Sequence, residues 1–530
     1  MTKSNPVNLD RRSFLKGSVV AGFGVATAGM MTACSSNGAS DVRADKAAAD
    51  TDAPKTVAET VDCDVVILGG GISGLAAAVQ AGENGLNAIL LEAAGEVGGN
   101  GTGVEGIFGC NTSAQQEQGI EKLHPGEIIR HELETSLHLS DGVAWHDLVS
   151  ASAENYDWLV SNGVKFSGLI NDYGGLFDTM HWFEGGMAGV GYVPAMKDKA
   201  LSYGVDIRVN TPAQSLIYTD GKVGGGVYAK NEDGEDIQVN AKAVVLATGG
   251  FGYNDDLLGR WGFNMEHLIK CGNPMNNGDG INMGLAVGAK DCVADACFLL
   301  APGITGLGAK SQASGKLCFG GPFMWVNKDG NRFVNEDLGG ENMMMTYIPS
   351  LEQGETFCLA DSAILNAALD GEANATASGD VDARTDFEEV LATNPADNVY
   401  QADTLEELAS KFGIDPVGLA DAVKRYNASC DQGEDEEFAK APAMMVPVIE
   451  PPYYMWRLDP SVMVAIGGLG TNRNMQVLNE GGEPIDGLYA IGTDGVRLYR
   501  KVYPIQIAAT CCGNNVNSGR IAINSITANL

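Results

Sequence analysis

The stretch "CDVVILGGGISGLAAAVQAGENGLNAILLEAAGEVGGNG", beginning at Cys63, constrains this chain more than any other. Val65 to Leu68 is a short apolar run of the kind that forms a buried parallel strand. Gly69, Gly71 and Gly74 follow as GxGxxG. The first two permit a tight turn and close backbone approach to a pyrophosphate, and the third lets a helix pack against the strand. That helix opens at Ile72 or Ser73, so its first amides face the phosphates. Ala88 to Leu91 reads as the second strand, ending in Glu92, an acid placed to accept hydrogen bonds from ribose hydroxyls and to repel a 2′-phosphate. Strand, motif, helix, strand and acid in register imply a doubly wound α/β dinucleotide-binding domain.

NAD and FAD share such a cradle, and the glycine-rich corners further on favour FAD. Gly99 and Asn100 lie in a second loop, "GGNG". Strands read at 205–209, 213–219 (from Ala213), 222–230 and 235–240, with a hairpin turn at Asp220-Gly221. "AKAVVLATGGFGYN" gives a further buried strand running into Thr248 and Gly249, and "NNGDGINMGLAVGA" places Asp279 just before a helix. Seventy glycines in 530 residues fit tight turns around a large ligand.

The N-terminus reads as an address. "RRSFLKG" from Arg11, a small apolar run from Ser18 to Met31 and "MTACSS" form a twin-arginine export leader. Cys34 stands where a lipid would be attached; the alternative is an ordinary cleaved signal that removes it. Residues 1–34 are the leader and 35–59 an Ala/Asp/Ser-rich tether. The expected location is the outer face of the cytoplasmic membrane. With 34 basic and 68 acidic residues the net charge is −34, which opposes nucleic-acid binding and suits a basic electron-transfer partner. The cysteines form no CxxC or CxxCH pattern, so no metal or haem site is expected; Cys511-Cys512 reads as two small thiols or a strained disulfide.

The motifs "GGGISGLAAA", "LLEAAGEVGGN", "VVLATGGFGYN", "NNGDGINMGLAVGA", "VNKDGNRFVNED", "IGGLGTN" and "PIDGLYAIGTD" resemble those of the fumarate reductase/succinate dehydrogenase flavoproteins, from about Val61 to Ser525. The resemblance implies FAD, non-covalently bound, in a Rossmann-like domain made of 60–294 and 467–530, with an α+β capping domain, 295–466, inserted between. It implies cofactor contacts from Gly69, Gly71, Ser73, Gly74, Glu92, Gly99, Asn100, Ala213, Thr248, Gly249, Asp279 and Asp494. It also implies a helix from Thr510 aiming its amides at the flavin.

The dicarboxylate apparatus of the fumarate reductases is missing. Gly340 stands four places after Glu336, where the proton-delivering arginine belongs. "SGKLCFGG" and "MVAIGG" replace the clamp and the histidines. "VYPIQIAATCCG" instead resembles the 3-ketosteroid dehydrogenase branch, with Tyr503 at the tyrosine that binds a ketone oxygen and Ile507 where a glycine amide would assist. The exported layout is similar to cardiac glycoside reductase-type flavoproteins, which take electrons from a membrane multihaem cytochrome.

The expected function is hydride transfer from flavin to the activated C=C bond of an α,β-unsaturated carbonyl compound. The alternatives are a 3-ketosteroid-type dehydrogenase and a flavin electron relay without a substrate. Tyr503 is the candidate acid, its phenol pKa lowered by nearby Arg497, Arg500 and Lys501; packing on the flavin ring is its structural alternative. Arg500 is the other candidate donor. Tyr499, His181 and Ile507 are candidate substrate contacts.

Overall fold

The computed structural model describes Pro54 and residues 56–219, 222–307, 311–341, 343–371 and 381–530. The export leader, Cys34, nearly all of the tether and the Asp220-Gly221 turn lie outside the described residues.

The main sheet and its helices, in chain order, are β1 (Glu59–Leu68), α1 (Ile72–Glu83), β2 (Ala88–Leu91), α2 (Pro125–Thr135), α3 (Gly142–Ser161), β3 (Asp206–Arg208), β4 (Ala213–Thr219), β5 (Lys222–Lys230), β6 (Asp236–Leu246), α4 (Asp279–Ala286), β7 (Gln476–Leu478), β8 (Pro484–Ala490) and α5 (Thr510–Asn529). The sheet runs β7-β8-β5-β6-β1-β2-β3, with β4 on β5. β1 pairs in parallel with β2 and with β6, and Leu68 sits beside both Leu91 and Leu246. Three strands therefore end level, and the loops after them share one carboxyl edge. In an open α/β sheet that edge is where ligands bind.

β1 begins at Glu59, six residues before the apolar run. Its first half is polar and largely exposed, so only its buried second half carries a strand-like hydrophobic signature. The expected strands at 235–240 and before Thr248 are one strand, β6. Its start pairs with β5, and its end pairs with β8, which takes over the same edge. Two partners on one side make a long strand out of what reads as two short ones.

α1 and α5 cover one face of the sheet. Gly519 of α5 lies so close to α1 that an added Cβ would stand 2.7 Å from the Ser73 carbonyl oxygen. A separate apolar cluster, drawn entirely from residues between Ile304 and Leu458, is built on a four-stranded antiparallel sheet of Met324–Asn327, Thr356–Asp361, Tyr453–Arg457 and Val399–Ala402. The chain enters this body along Cys297–Gly303 and leaves it along Asp459–Ile466, and these two strands pair antiparallel with each other. Inside the body Arg332 is completely buried and satisfied by Glu336 (2.9 Å) and Asp435 (2.8 Å). A third cluster joins Phe108, Ile128 of α2 and Trp145 of α3 to Tyr499, Tyr503 and Ile507.

All ten described cysteines carry free thiols, Cys511 and Cys512 among them. Among the described residues no helix is long and apolar enough to cross a membrane.

Candidate active site

A cavity of about 1180 Å³ opens along the carboxyl edge of the sheet. Ordinary ligand pockets hold roughly 300–1,000 Å³, so this one has room for a cofactor and a substrate together.

Its floor is the glycine motif, and the three glycines do different work. Gly69 has φ +107°, and a Cβ there would lie 2.3 Å from the Ala247 carbonyl oxygen of the adjoining strand end. Gly74 would place its Cβ 1.9 Å from the Gly69 carbonyl oxygen, so it sets the approach of α1 and stays out of the cavity wall. At Gly71 the nearest such contact is 3.9 Å away, and the residue fronts the cavity. A side chain there would fill the space a pyrophosphate needs.

Three helices begin at this cavity without a side-chain cap: α1 after Gly71, α4 after Gly278 and α5 after Ala509. The Gly280 amide of α4 is taken by Thr248 Oγ1 (3.0 Å), and the first-turn amides of α1 and α5 with the positive ends of three helix dipoles favour an anionic or electron-rich ligand. Ser73, Glu92, Gly99, Asn100, Ala213, Thr248, Gly249 and Asp279 also line the wall. Glu92 is held in place by accepting from the Gly70 amide (2.7 Å) and the Ala94 amide (2.8 Å). Asn100 donates to the Met463 carbonyl (3.1 Å) and accepts from the Asn273 amide (2.9 Å), tying the second glycine loop to two other walls. Burial raises the Asp279 carboxyl above its ordinary range. The donor set, the open face at Gly71 and the cavity's length of glycine-lined wall fit a dinucleotide.

Asp494 has a different place from the one expected. It is fully buried behind the wall, where it accepts from the Thr248 amide (2.6 Å) and the Gly250 amide (2.8 Å). It shapes the Thr248–Gly250 turn and does not line the cavity. Burial raises its carboxyl, against the pull of those amides.

At the other end Tyr503 lines the cavity and is 6% exposed. The expected lowering of its pKa is reversed. Burial pushes the phenol well above its ordinary value, with Cys511 adding to the rise, and only a hydrogen bond with Thr510 pulls the other way. The three cations point elsewhere. Arg500 donates to Asp295 (2.6 Å) and is half-exposed, Arg497 donates to Asp141 (3.1 Å), and neither lines the cavity. Lys501 likewise lies outside the wall. Tyr503 is thus a neutral phenol, a donor of hydrogen bonds or of a proton.

The remaining candidates sit behind this surface. Tyr499 is 1% exposed, packs edge-on against Tyr503 at 4.6 Å between ring centroids, and donates its hydroxyl proton to Thr510 Oγ1. Thr510 in turn donates to the Ile507 carbonyl (3.2 Å). Neither Ile507 nor Thr510 reaches the wall, although Ala509 and Cys511 beside them do. His181 is 1% exposed and spends both ring nitrogens on Thr112 (2.8 Å) and the Thr179 carbonyl (3.0 Å). Burial pushes its pKa down to about 4, which keeps the ring neutral. It lies behind the wall and does not line the cavity.

Sequence reasoning missed Tyr173, a second phenol on the wall, hydrogen-bonded to Glu105. It also missed the segment 269–276, whose "NP" turn at Asn273-Pro274 was the available signal. The wall also carries the apolar side chains of Met180, Leu299, Phe319 and Val464. Among the described residues no arginine and no histidine lines the cavity. Its one described lysine, Lys270, is tied to Asp255 (2.7 Å).

Comparison with known proteins agrees with this geometry. Residues 64–506 match a family model described as an FAD binding domain. The chain is 28% identical over 489 residues to the vinyl phenol reductase of Lactiplantibacillus plantarum, an alignment covering 88% of this chain and 96% of that protein. It is 28% identical over 528 residues to the digoxin reductase of Eggerthella lenta, covering 91% of each. The open conformation of a flavocytochrome c3 fumarate reductase superimposes with a TM-score of 0.62 at 25% identity, covering 89% of this chain and 79% of that one.

Proposed function

We propose that this chain, which belongs to the FAD-binding-domain family and, within it, to the fumarate reductase/succinate dehydrogenase flavoprotein superfamily, reduces the activated C=C bond of an uncharged organic molecule, an α,β-unsaturated carbonyl compound above all. The chain is an FAD-dependent oxidoreductase. One observation carries the substrate reading: the acid at the wall is a buried, neutral phenol, and the described wall offers no arginine to grip a dicarboxylate.

Gly69, Gly71, Ser73, Glu92, Gly99, Asn100, Thr248, Gly249 and Asp279 would hold the cofactor. Bound there, FAD supplies hydride equivalents to an electron-poor carbon. Attachment is non-covalent: no described histidine lines the cavity, and burial holds the Cys511 thiol protonated, with its pKa pushed up to about 12.

Tyr503 does the proton's share of the work. As hydride reaches the β carbon, negative charge moves toward the carbonyl oxygen, and a new C–H bond must form at the α carbon. The Tyr503 O–H bond breaks as that C–H bond forms. A phenol raised above its ordinary pKa still protonates an enolate carbon, because the carbon acid formed is weaker than the phenol. The apolar wall around Leu299, Phe319 and Val464 excludes water from the charge that develops.

The reading extends to place and partner. The twin arginines and Cys34 support export and lipid anchoring, and the net charge of −34 supports docking of a basic haem protein as electron donor. Labelling with a lipid precursor checks the anchor: Cys34→Ser should release the protein from membranes.

The chemical test is anaerobic. Reduced holoenzyme is mixed with enones, enoates, unsaturated steroids, 4-vinylphenol and fumarate, and flavin reoxidation is followed by absorbance. Uncharged acceptors should reoxidise it at least about 100-fold faster than fumarate. Fumarate as the best acceptor would overturn the substrate reading. Bleaching of oxidised enzyme by saturated ketones would reverse the direction, and reoxidation by electron carriers alone would make the chain a relay.

A further inference from the structure

We propose that Asn276 and Thr493 form a neutral polar seat for the cofactor's ribityl chain, the run of hydroxyls between its pyrophosphate and its ring. The proposal rests on FAD as the cofactor and is independent of what Tyr503 does.

Both residues line the cavity, yet Asn276 is only 6% exposed and Thr493 8%. No described residue hydrogen-bonds with either side chain. A buried amide or hydroxyl without a partner is costly, so such groups on a cavity wall point to a ligand. Neighbouring amides are already engaged. Asn100 bonds to the Met463 carbonyl and the Asn273 amide, and Asn273 Oδ1 accepts from the Met275 amide (2.9 Å).

The backbone makes room for Asn276. Gly249 has φ +100°, and a Cβ there would stand 2.7 Å from Asn276 Oδ1 and 3.4 Å from Nδ2. The carboxamide therefore rests against the turn that follows β6. Thr493 adjoins the same turn, its carbonyl oxygen 3.5 Å from where a Gly250 Cβ would be. Before Thr493 in sequence, Gly492 borders Ser73, whose Oγ would stand 2.5 Å from an added Cβ. Ser73, Thr493 and Asn276 thus follow one another along the wall, from the start of α1 to the end of β6.

Sheet order assigns this stretch to one part of the cofactor. β1 stands between β6 and β2. Glu92, after β2, suits the adenosine ribose, and Gly71, after β1, suits the pyrophosphate. The position after β6 then falls to the ribityl chain. Charge agrees. Asp279, three residues beyond Asn276, lines the cavity too, and burial alone moves its carboxyl, with no described cation beside it. A phosphate here would face an unpaired acid, whereas hydroxyls would find an acceptor. The Asn276 carboxamide and the Thr493 hydroxyl each donate and accept, as each ribityl hydroxyl does.

Binding to the full-length chain, freed of flavin and reloaded, tests this through the quenching of flavin fluorescence. Asn276→Leu and Thr493→Val, close in size to the native residues, should each weaken FAD binding on the order of tenfold. FAD analogues that each lack one ribityl hydroxyl locate the contact. At least one should bind wild type about tenfold more weakly than FAD does, yet bind Asn276→Leu as well as FAD does. FAD built on 2′-deoxyadenosine should lose the same factor in both proteins. Unchanged FAD affinity in both variants overturns the proposal. So does coupling of Asn276 to the deoxyadenosine analogue, which would put the ribose there. Should Asn276→Leu fail to fold, Asn276→Ser and Thr493→Val carry the same comparison. Turnover of Tyr503→Phe is read separately, so the loss of either reading leaves the other standing.

Discussion

The two ends of the cavity are built on opposite plans. The glycine end is compact in sequence: Gly69, Gly71 and Gly74 lie within six residues, and what they meet first is backbone, that of Ala247, Gly98 and Gly69 itself. The phenol end, the strap from Arg497 to Cys511, is held from far away. Arg500 is tied to Asp295, 205 residues off; Arg497 to Asp141, 356 off; and the Leu498 carbonyl accepts from Trp145 Nε1, 353 off. Within it Lys501, Ile505 and Ala509 adopt left-handed φ near +60°, which side chains other than glycine rarely tolerate. A backbone held there by its surroundings is a common sign of a functional segment. The cradle is thus fixed by what its residues lack, and the strap by what its neighbours impose.

The contrast predicts that damage at each end has a different signature. Gly74→Val, whose Cβ would stand 1.9 Å from the Gly69 oxygen, should cost the protein its cofactor outright, read as colourless purified protein. Full flavin content in that variant would break the account of the cradle. Tyr503→Phe should do the reverse, keeping the flavin spectrum while lowering turnover by at least about 100-fold.

Acid should act through the support rather than either end. The folded pKa of His181 lies near 4, below the unfolded 6.5, so the unfolded chain binds the extra proton between those values. Stability is complete above about 6.5 and is lost as pH falls toward 4, a drop of a few degrees in Tm that His181→Gln should flatten. Smallest of all is Arg500→Ala. A half-exposed ion pair contributes on the order of 0–1 kcal/mol, so turnover should stay within about twofold of wild type. A collapse of activity there would return Arg500 to the chemistry and erase the contrast.

The same difference explains what the sequence disclosed. Everything decided by near neighbours was readable: the GxGxxG turn, the end of β2 at Leu91 before Glu92, and the starts of α4 at Asp279 and α5 at Thr510. β6 was read as two strands because its continuity depends on β5 and β8, which approach from other parts of the chain. Tyr503 was found through its Tyr-Pro step, but its protonation was misjudged, since sequence proximity to three cations says nothing of where they point. Arg500 turns to Asp295 and His181 to Thr112, partners no local pattern names.

The paired strands Cys297–Gly303 and Asp459–Ile466 have a mechanical consequence. They are both the way in and the way out of the body between Ile304 and Leu458, and they also carry Leu299, Met463 and Val464 to the cavity wall. Laced together by their own ladder, neither can shift without the other. Any tilt of that body therefore drags the wall along with it, so the doorway and the room beyond change shape in a single stroke.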